Sequence, residues 1–272
     1  MPAYARPTEL AEALGLRAAG YMVLAGGTDL YPGAGTGLAG DVLDITGIAG
    51  MAEIEMRDGL RIGAATTWTA IAEADLPPAL TALQQAARVV GGRQIQNAAT
   101  VGGNLCNASP AADGIPPLLA LDAEVELTSA RGRRRLPLQD YLKGPRRVDL
   151  LPDELLTAVA IPEAALQGQS LFAKLGARSH LVISIAMVAV RIEAQAGRIV
   201  TIAAAVGACS AIAQRLPDLE ASLTGAPVSE AAGMIRPEHL TPLNPIDDIR
   251  ATGAYRRDAA LTLLQRTVAA LV

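Results

Sequence analysis

Two glycine pairs constrain the fold of this 272-residue chain more than any other feature of its sequence. The first lies in the segment from Val23 to Leu30, and the second in the segment from Thr100 to Leu105. In each segment Gly-Gly follows an apolar residue and precedes a small polar one, a pattern that predicts an apolar run ending in a tight turn. Glycine permits positive φ and the close approach of a ligand to the main chain. Each pair is therefore either a plain structural turn or a place where a ligand meets the backbone.

The apolar pattern divides the chain into three blocks, at residues 1–53, 54–165 and 166–272. The first block is typical of a βαβ unit, the second adds a hairpin with Asp58-Gly59 at its turn, and the third contains an antiparallel strand pair around Ala196-Gly197. The boundary near residue 165 follows Pro162. The predicted helices are 8–19 (capped by Thr8), 69–73, 78–90, 116–121, 216–223 and 259–272, and the predicted strands are 21–25, 42–45, 54–56, 60–62, 124–128, 155–161, 172–175, 184–193 and 199–207.

Charge and cysteine content exclude several classes of function. The formal net charge of −4 argues against broad nucleic-acid binding, which needs a basic face. Two cysteines, Cys106 and Cys209, and two histidines, His180 and His239, provide neither a disulfide framework nor a structural zinc or iron–sulfur site, so no metal is predicted in this chain. The N-terminus has no signal-peptide pattern, and the longest apolar run, Leu181 to Val190, is too short to span a bilayer, which predicts a cytoplasmic protein.

The two glycine segments together suggest a phosphate site. Successive exposed N–H groups in such turns bind anions, and Thr28, Thr100 and Asn104 add side-chain donors. Two such loops facing each other would clamp a pyrophosphate from both sides. Neither segment matches the Walker or the G-x-G-x-x-G pattern, so an ordinary P-loop or Rossmann site is not supported.

A long run of small residues, from Cys106 to Ala123, follows the second glycine pair. Long ordered loops of this kind are usually functional. Ser109 and Asp113 would bind a polyol chain, and the alternative for each is local capping, with Asp113 as the N-cap of the next helix. Cys106 is interpreted as a small buried apolar residue rather than a redox group.

At these segments the chain resembles the medium, FAD-binding subunits of the xanthine dehydrogenase and carbon monoxide dehydrogenase family of molybdenum hydroxylases. The resemblance rests on Ala25 to Leu30, on Thr100 to Ala123 and on Asp248 to Arg257, in an order that spans the chain. It implies an α+β fold. An FAD-binding fold of two α/β subdomains (vanillyl-alcohol-oxidase-like) would occupy 1–165, and a C-terminal α+β domain with a small antiparallel sheet would occupy 166–272.

The resemblance also implies roles for single residues. Asp113 would bind the ribityl or ribose hydroxyls with Ser109 nearby, Ile161 would present its backbone to the flavin ring, and Lys174 would lie near the ring edge, where a cation stabilises reduced flavin. The alternative for Lys174 is a solvated lysine on a strand. Val90 stands where some relatives carry an aromatic ring, which would leave one face of the flavin open. The pyrophosphate would be bound, mostly by main-chain N–H groups, by Ala25, Gly26, Gly27, Thr28, Asp29, Leu30, Thr100, Gly102, Gly103 and Asn104.

The implied function is that of an oxidoreductase subunit. It would accept electrons from the 2Fe-2S clusters of a small partner subunit and pass them from FAD to an external acceptor such as NAD or dioxygen. A large partner would hold a molybdenum-pterin centre, giving a heterotrimer that can dimerise further. A self-contained FAD oxidoreductase and a flavin-free assembly subunit are the alternatives. Replacing Gly102 with Val is expected to abolish FAD retention, because the side chain would enter the space of the pyrophosphate.

Two further features have mainly structural interpretations. A local basic cluster is interpreted as a solvated hairpin in preference to a docking surface for an acidic partner; its members are Arg131, Arg133, Arg134, Arg135, Lys143, Arg146 and Arg147. The threonines before Trp68 predict an N-cap, with Trp68 packed behind it.

Overall fold

The computed structural model describes residues 2–35, 37–179 and 181–272. Its strands are β1 (Tyr4–Ala5), β2 (Met22–Leu24), β3 (Val42–Asp44), β4 (Ile54–Met56), β5 (Leu60–Gly63), β6 (Glu124–Ser129), β7 (Gly132–Pro137), β8 (Leu142–Gly144), β9 (Arg147–Val148), β10 (Leu155–Ile161), β11 (Gln169–Leu175), β12 (Ala186–Gln195), β13 (Arg198–Gly207) and β14 (Gln214–Arg215). Its α-helices are α1 (Leu10–Ala18), α2 (Leu30–Gly33), α3 (Trp68–Glu73), α4 (Thr81–Val89), α5 (Arg93–Ala98), α6 (Val101–Asn107), α7 (Ile115–Ala120), α8 (Leu138–Tyr141), α9 (Pro217–Leu223), α10 (Val228–Met234) and α11 (Gly253–Leu271).

The first sheet is the predicted βαβ unit. Its three strands are parallel, in the order β1-β3-β2, and α1 connects β1 to β2. Ala13 and Leu14 of α1 are buried against the core. The predicted cap is wrong, because the helix begins at Leu10 and its N-cap is Glu9, which makes no side-chain cap bond.

The second sheet has five strands in the order β4-β5-β10-β6-β7, and every neighbouring pair is antiparallel. Asp58 and Gly59 both have positive φ at the β4–β5 turn, as the hairpin prediction required. The middle strand, β10, covers the predicted range and is paired on both sides. Helices α3 to α6 lie between β5 and β6 of this sheet, in residues 64–107, which contain the second glycine segment.

The third sheet is antiparallel, in the order β11-β12-β13-β14, and is covered by α9, α10 and α11. Ala196 and Gly197 have φ of 50° and 74° at the β12–β13 turn, which is the pair of positive values that a tight hairpin of this hand requires. Helix α10 was not predicted from the sequence. These three sheets confirm the predicted α+β class and the small antiparallel sheet predicted for the C-terminal part.

The third sheet packs on helices α4 and α7 of the N-terminal part. Ser170 on β11 donates to Ala79 O at 2.7 Å and accepts from Ala82 N at 2.9 Å. Buried Arg191 on β12 donates to Ala120 O at 3.0 Å, at the end of α7. These contacts join the two parts through buried polar bonds. Within the described ranges, none of the helices combines the length and the apolar character needed to cross a membrane.

Candidate functional site

A cavity of about 390 Å³ lies where the first sheet, helices α5 and α6 and the start of β10 meet. Both glycine segments contribute to its wall, although they are far apart in sequence. Among the predicted site residues, those that line it are Ala25, Gly26, Gly27, Thr28, Asp29, Leu30, Val90, Thr100, Gly102, Gly103 and Asn104. The structure therefore brings the two glycine segments to one site.

The first glycine segment lines this cavity and leaves a row of main-chain N–H groups unpaired among the described residues. Within the described chain, the amides of the five residues from Gly26 to Leu30 donate no hydrogen bond. Gly27 has φ +69°, and a Cβ on this residue would overlap the ring of Tyr31. Gly26 lies directly against Ala98 at the end of α5, so a side chain at Gly26 would collide with backbone. Glycine is therefore required at both positions to hold an open row of N–H donors beside α5.

The second glycine segment is helical, which corrects the prediction of a loop. Gly102 and Gly103 lie in the first turn of α6, and Thr100 is its N-cap, with Oγ1 accepting from Gly103 N at 3.1 Å. The first-turn amides have partners within the chain: Val101 N donates to Thr66 O at 3.0 Å, and Gly102 N donates to Ala64 O at 2.9 Å. This segment therefore does not offer the main-chain donors that the loop hypothesis assigned to it.

The two glycines of α6 also differ from each other. A Cβ on Gly102 would lie 2.6 Å from Ala64 O, so this glycine allows α6 to pack against the end of β5. A Cβ on Gly103 would meet only Thr100 Oγ1, at 3.0 Å, and otherwise enters open space. Replacing Gly102 with Val would thus disturb packing before it reached any ligand, whereas a side chain at Gly103 would enter open space at the cavity wall.

Two buried polar atoms of the cavity wall have no hydrogen-bond partner among the described residues. They are Trp68 Nε1 and Asn104 Oδ1. Trp68 is fully buried at the start of α3, and Thr67 caps this helix by accepting from Ala70 N at 3.2 Å, as predicted. Buried polar groups are normally paired, so a donor and an acceptor left unpaired here are typical of a wall that a polar ligand completes.

Asp113 and Lys174 form a buried ion pair outside this cavity. Lys174 Nζ lies 2.7 Å from Asp113 Oδ2, Ser184 Oγ donates to Asp113 Oδ1 at 2.7 Å, and both ion-pair side chains are about nine-tenths buried. Burial raises the pKa of Asp113 above its ordinary value, against the opposing effects of Lys174 and Ser184. The capping interpretation of Asp113 and the solvated-lysine interpretation of Lys174 are both wrong. The N-cap of α7 is Gly114, and the lysine is paired.

The remaining predicted residues do not line the cavity. Ser109 Oγ accepts a hydrogen bond from Ala111 N at 3.3 Å, which agrees with the local capping role predicted as its alternative. Ile161 is buried at the far end of β10, and Leu155 and Leu156, at the start of this strand, line the cavity instead. Leu155 and Leu156 are therefore the residues that β10 contributes to this cavity. His180 lies outside the described residues.

The exposure of Cys106 contradicts the prediction that it is a small buried apolar residue. Cys106 is exposed and lines the cavity. The thiol lies 3.4 Å from the hydroxyl of Tyr141, which is buried. Burial raises the pKa of the Cys106 thiol, with Tyr141 acting against it, so the group is a neutral thiol at physiological pH.

One part of the cavity wall is charged. Arg17 Nε donates to Glu154 O at 3.1 Å, and Arg17 Nη1 donates to Tyr21 O at 3.2 Å. The Glu154 carboxylate is paired elsewhere, with Arg134 Nε at 2.7 Å, and this bond holds the pKa of Glu154 below its ordinary value. Arg17 therefore contacts the Glu154 main chain and keeps its positive charge beside the cavity.

A second, more open cavity, of about 690 Å³, borders Lys174 and Val89. Lys174 Nζ lies 3.5 Å from Val89 O, and Val90, the next residue, lines the first cavity. The two cavities are therefore neighbours across residues 89–90. Among the described residues, no three His, Cys, Asp or Glu side chains come together in a group that could hold a metal ion.

Comparison with known proteins identifies relatives over the whole chain. Residues 1–164 match the family described as the FAD binding domain in molybdopterin dehydrogenase, and residues 172–271 match the CO dehydrogenase flavoprotein C-terminal domain. The nicotine 6-hydroxylase medium subunit of Paenarthrobacter nicotinovorans is 31% identical over 273 residues, which cover 97% of this chain and 95% of that one. The xanthine dehydrogenase FAD-binding subunit of Escherichia coli O157:H7 is 39% identical over 166 residues, and the match spans 57% of that relative's length.

Solved structures show the same fold. A chain of carbon monoxide dehydrogenase from Hydrogenophaga pseudoflava superposes with a TM-score of 0.87 at 24% identity, covering 99% of this chain and 96% of that one. A chain of Cu,Mo-CO dehydrogenase in its cyanide-inactivated form gives a TM-score of 0.85 at 27% identity, covering 98% and 97%. The arrangement of the three sheets is therefore that of a known fold.

Proposed function

The chain belongs to the FAD-binding subunits of the molybdopterin dehydrogenase family, and on that premise we propose that it binds FAD in the first cavity as the electron-transfer subunit of a larger complex. In this proposal it takes electrons from 2Fe-2S clusters of a small partner subunit and delivers them from FAD to an external acceptor. A large partner carries the molybdenum-pterin centre. The names of relatives as medium subunits and medium chains support an assembly with larger and smaller partners.

The row of unpaired amides from Gly26 to Leu30 carries this proposal. It offers several N–H donors to one anionic group, and Thr28 adds a hydroxyl beside them. Two residues of the same wall also contain buried polar atoms without a partner among the described residues, Trp68 Nε1 and Asn104 Oδ1. The volume of about 390 Å³ lies within the usual range for small-molecule sites, about 300–1,000 Å³. The residues present therefore fit the pyrophosphate of a dinucleotide, and the rest of a ligand as large as FAD would extend beyond this cavity.

Bound FAD would supply reversible two-electron redox chemistry, while the residues of this chain bind and orient it. The amides of Gly26 to Leu30 would hold the pyrophosphate, and Gly103 would leave room beside it. Leu155 and Leu156 would exclude water from the apolar part of the cavity. Lys174, held by Asp113 and close to Val89 O, would lie on the flavin side of the ligand, beside the second cavity.

Purification of the chain with its native partners tests the proposal. We expect a flavin absorbance spectrum, FAD rather than FMN on extraction, and molybdenum and iron in stoichiometric amounts. A flavin-containing chain that turns over substrate without partners would indicate a self-contained oxidoreductase. A colourless chain that fails to bind added FAD would indicate an assembly subunit, and either result would overturn the proposal.

A further inference from the structure

Arg17 has a position that neither the sequence patterns nor the pyrophosphate site explains. It is half-buried near the end of α1, its side chain lines the first cavity, and its two main-chain bonds hold the guanidinium in place. Nη2 has no hydrogen-bond partner in the described chain, and no described carboxylate lies within ion-pair distance of Arg17. Cys106 lines the same cavity. Burial raises the pKa of its thiol, and the positive charge of Arg17 acts in the opposite direction.

The surroundings of Arg17 suit a flat, largely apolar group. The cavity wall includes the apolar side chains of Met22, Val23, Leu155 and Leu156, and Trp68 is the aromatic residue among the described residues that line it. Arginine stacks on heteroaromatic faces and donates hydrogen bonds in its own plane, so it can bind a purine ring by stacking or by hydrogen bonds to the ring edge.

The layout of the cavity indicates which half of a dinucleotide would lie here. Val90 lines the cavity, and its neighbour Val89 contacts Lys174 of the C-terminal sheet through its carbonyl oxygen. The Val90 part of the wall is therefore the one nearest the C-terminal sheet. A flavin ring that exchanges electrons with other molecules belongs on that side, beside the second cavity. Arg17, by contrast, is bonded only to residues of the N-terminal part. With the pyrophosphate held at Gly26 to Leu30, the other half of the ligand extends toward Arg17.

We propose that Arg17 recognises the adenosine half of the ligand and is the residue through which this chain selects FAD over FMN. The inference rests on the proposed function, because it assumes a flavin nucleotide in the first cavity. FMN would occupy the Val90 side and the phosphate loop and would leave Arg17 without a partner. AMP, conversely, would occupy the phosphate loop and contact Arg17.

Binding of the separate halves to the flavin-free full-length chain tests this role. We expect R17Q to weaken binding of FAD and AMP by about tenfold or more, since a hydrogen bond from a charged group is lost, and to leave FMN affinity unchanged. R57Q, which changes an exposed arginine on the β4–β5 hairpin, is the matched control and should bind all three ligands like the wild type. Isothermal titration calorimetry gives the three dissociation constants.

A second measurement needs no variant and so does not depend on how R17Q folds. Phenylglyoxal modifies accessible arginines, and mass spectrometry locates the modified residue. FAD and AMP should protect Arg17 in the wild-type chain, and FMN should not. If AMP fails to protect Arg17, or FMN protects it equally, Arg17 does not select the dinucleotide, although FAD binding itself stands. If wild-type chain binds no FAD at all, the proposed function fails first.

Discussion

At the scale of single residues, the glycines of the site have three different tasks. Gly26 lets the first glycine segment lie against Ala98, and Gly102 lets α6 lie against Ala64. Gly27 supplies positive φ beside Tyr31. The third task is that of Gly103, which leaves open space at the cavity wall. A substitution therefore reports on packing at some of these positions and on the ligand at Gly103.

We predict that Gly103→Ala raises the dissociation constant of FAD about tenfold, which corresponds to about 1.4 kcal/mol, because the new methyl group enters the cavity. Its free energy of unfolding should stay within about 1 kcal/mol of wild type, since alanine favours a helix over glycine. Fluorescence titration and urea unfolding measure the two quantities.

Two control variants make this prediction specific. Gly102→Ala should lose about 1–3 kcal/mol of stability through its overlap with Ala64. Gly15→Ala, at an exposed helical position with no neighbour within 4 Å, should leave FAD affinity unchanged. Wild-type FAD affinity in Gly103→Ala would show that α6 does not face the ligand.

At the scale of elements, the hairpin β6–β7 shows how a basic run becomes a structural feature. The arginines of β7 lie opposite carboxylates and are paired: Arg133 and Arg135 with Glu126, and Arg134 with Asp149 and Glu154. Glu126 is buried and also contacts Arg61 on β5. The basic run therefore ties the hairpin to its own sheet, although Arg133 and Arg135 share the one carboxylate of Glu126 and their side chains stay about half exposed.

We predict that Glu126→Gln lowers the free energy of unfolding at neutral pH and makes it less dependent on pH in the acid range. Burial opposes ionisation of Glu126, but hydrogen bonds from Arg135 and Arg61 outweigh it and hold the pKa below its ordinary value of 4.5. A carboxyl with a lowered pKa stabilises the fold fully above pH 4.5, and this contribution is lost as the pH falls through the folded-state pKa.

The measurement is urea unfolding of wild type and Glu126→Gln at several pH values between 3 and 7. The difference between them should be about 1–3 kcal/mol at neutral pH and should shrink in acid. Glu124→Gln, on the same strand, is the control, because Glu124 has no ion pair within the described residues. A difference that is constant from pH 7 to 3 would contradict the charge mechanism.

At the scale of the whole molecule, the Asp113–Lys174 pair joins the two parts of the chain. Asp113 precedes α7, Lys174 lies on β11, and Ser184 precedes β12, so the cluster spans the boundary between the N-terminal part and the C-terminal sheet. Removing one member of a buried ion pair leaves an uncompensated charge, which costs far more than removing both. The pair should therefore couple the stability of the two parts.

We predict that Asp113→Asn and Lys174→Met each lower the free energy of unfolding by about 3–5 kcal/mol, and that the double variant loses much less than the sum. Urea unfolding is monitored in two ways. The fluorescence of Trp68, the single tryptophan, measures unfolding of the N-terminal core, and circular dichroism measures unfolding of the whole chain. The exposed pair Glu73–Arg93 is the control, with an expected coupling below about 1 kcal/mol. Additive losses at Asp113 and Lys174 would show that the pair does not act as a unit.

Local sequence signals were sufficient for much of the fold and for the general position of the site. The turns at Asp58-Gly59 and Ala196-Gly197, the strand from Leu155 to Ile161 and the cap at Thr67 depend on neighbours in sequence, and they occur where they were predicted. Both glycine segments do line one cavity, as the pattern suggested. These features follow from backbone propensities and hydrophobic periodicity, which a one-dimensional pattern records.

Other features depend on residues that only the folded chain brings together. Lys174 meets Asp113 from 61 residues away, and Arg17 meets Glu154 from 137 residues away. Whether a glycine pair offers its amides to a ligand depends on whether carbonyls such as Ala64 O have already accepted them, and this separates the first segment from α6. The direction of β10 in its sheet places Leu155 and Leu156, rather than Ile161, at the cavity. Each of these outcomes is a long-range contact, so residue order alone leaves it undetermined.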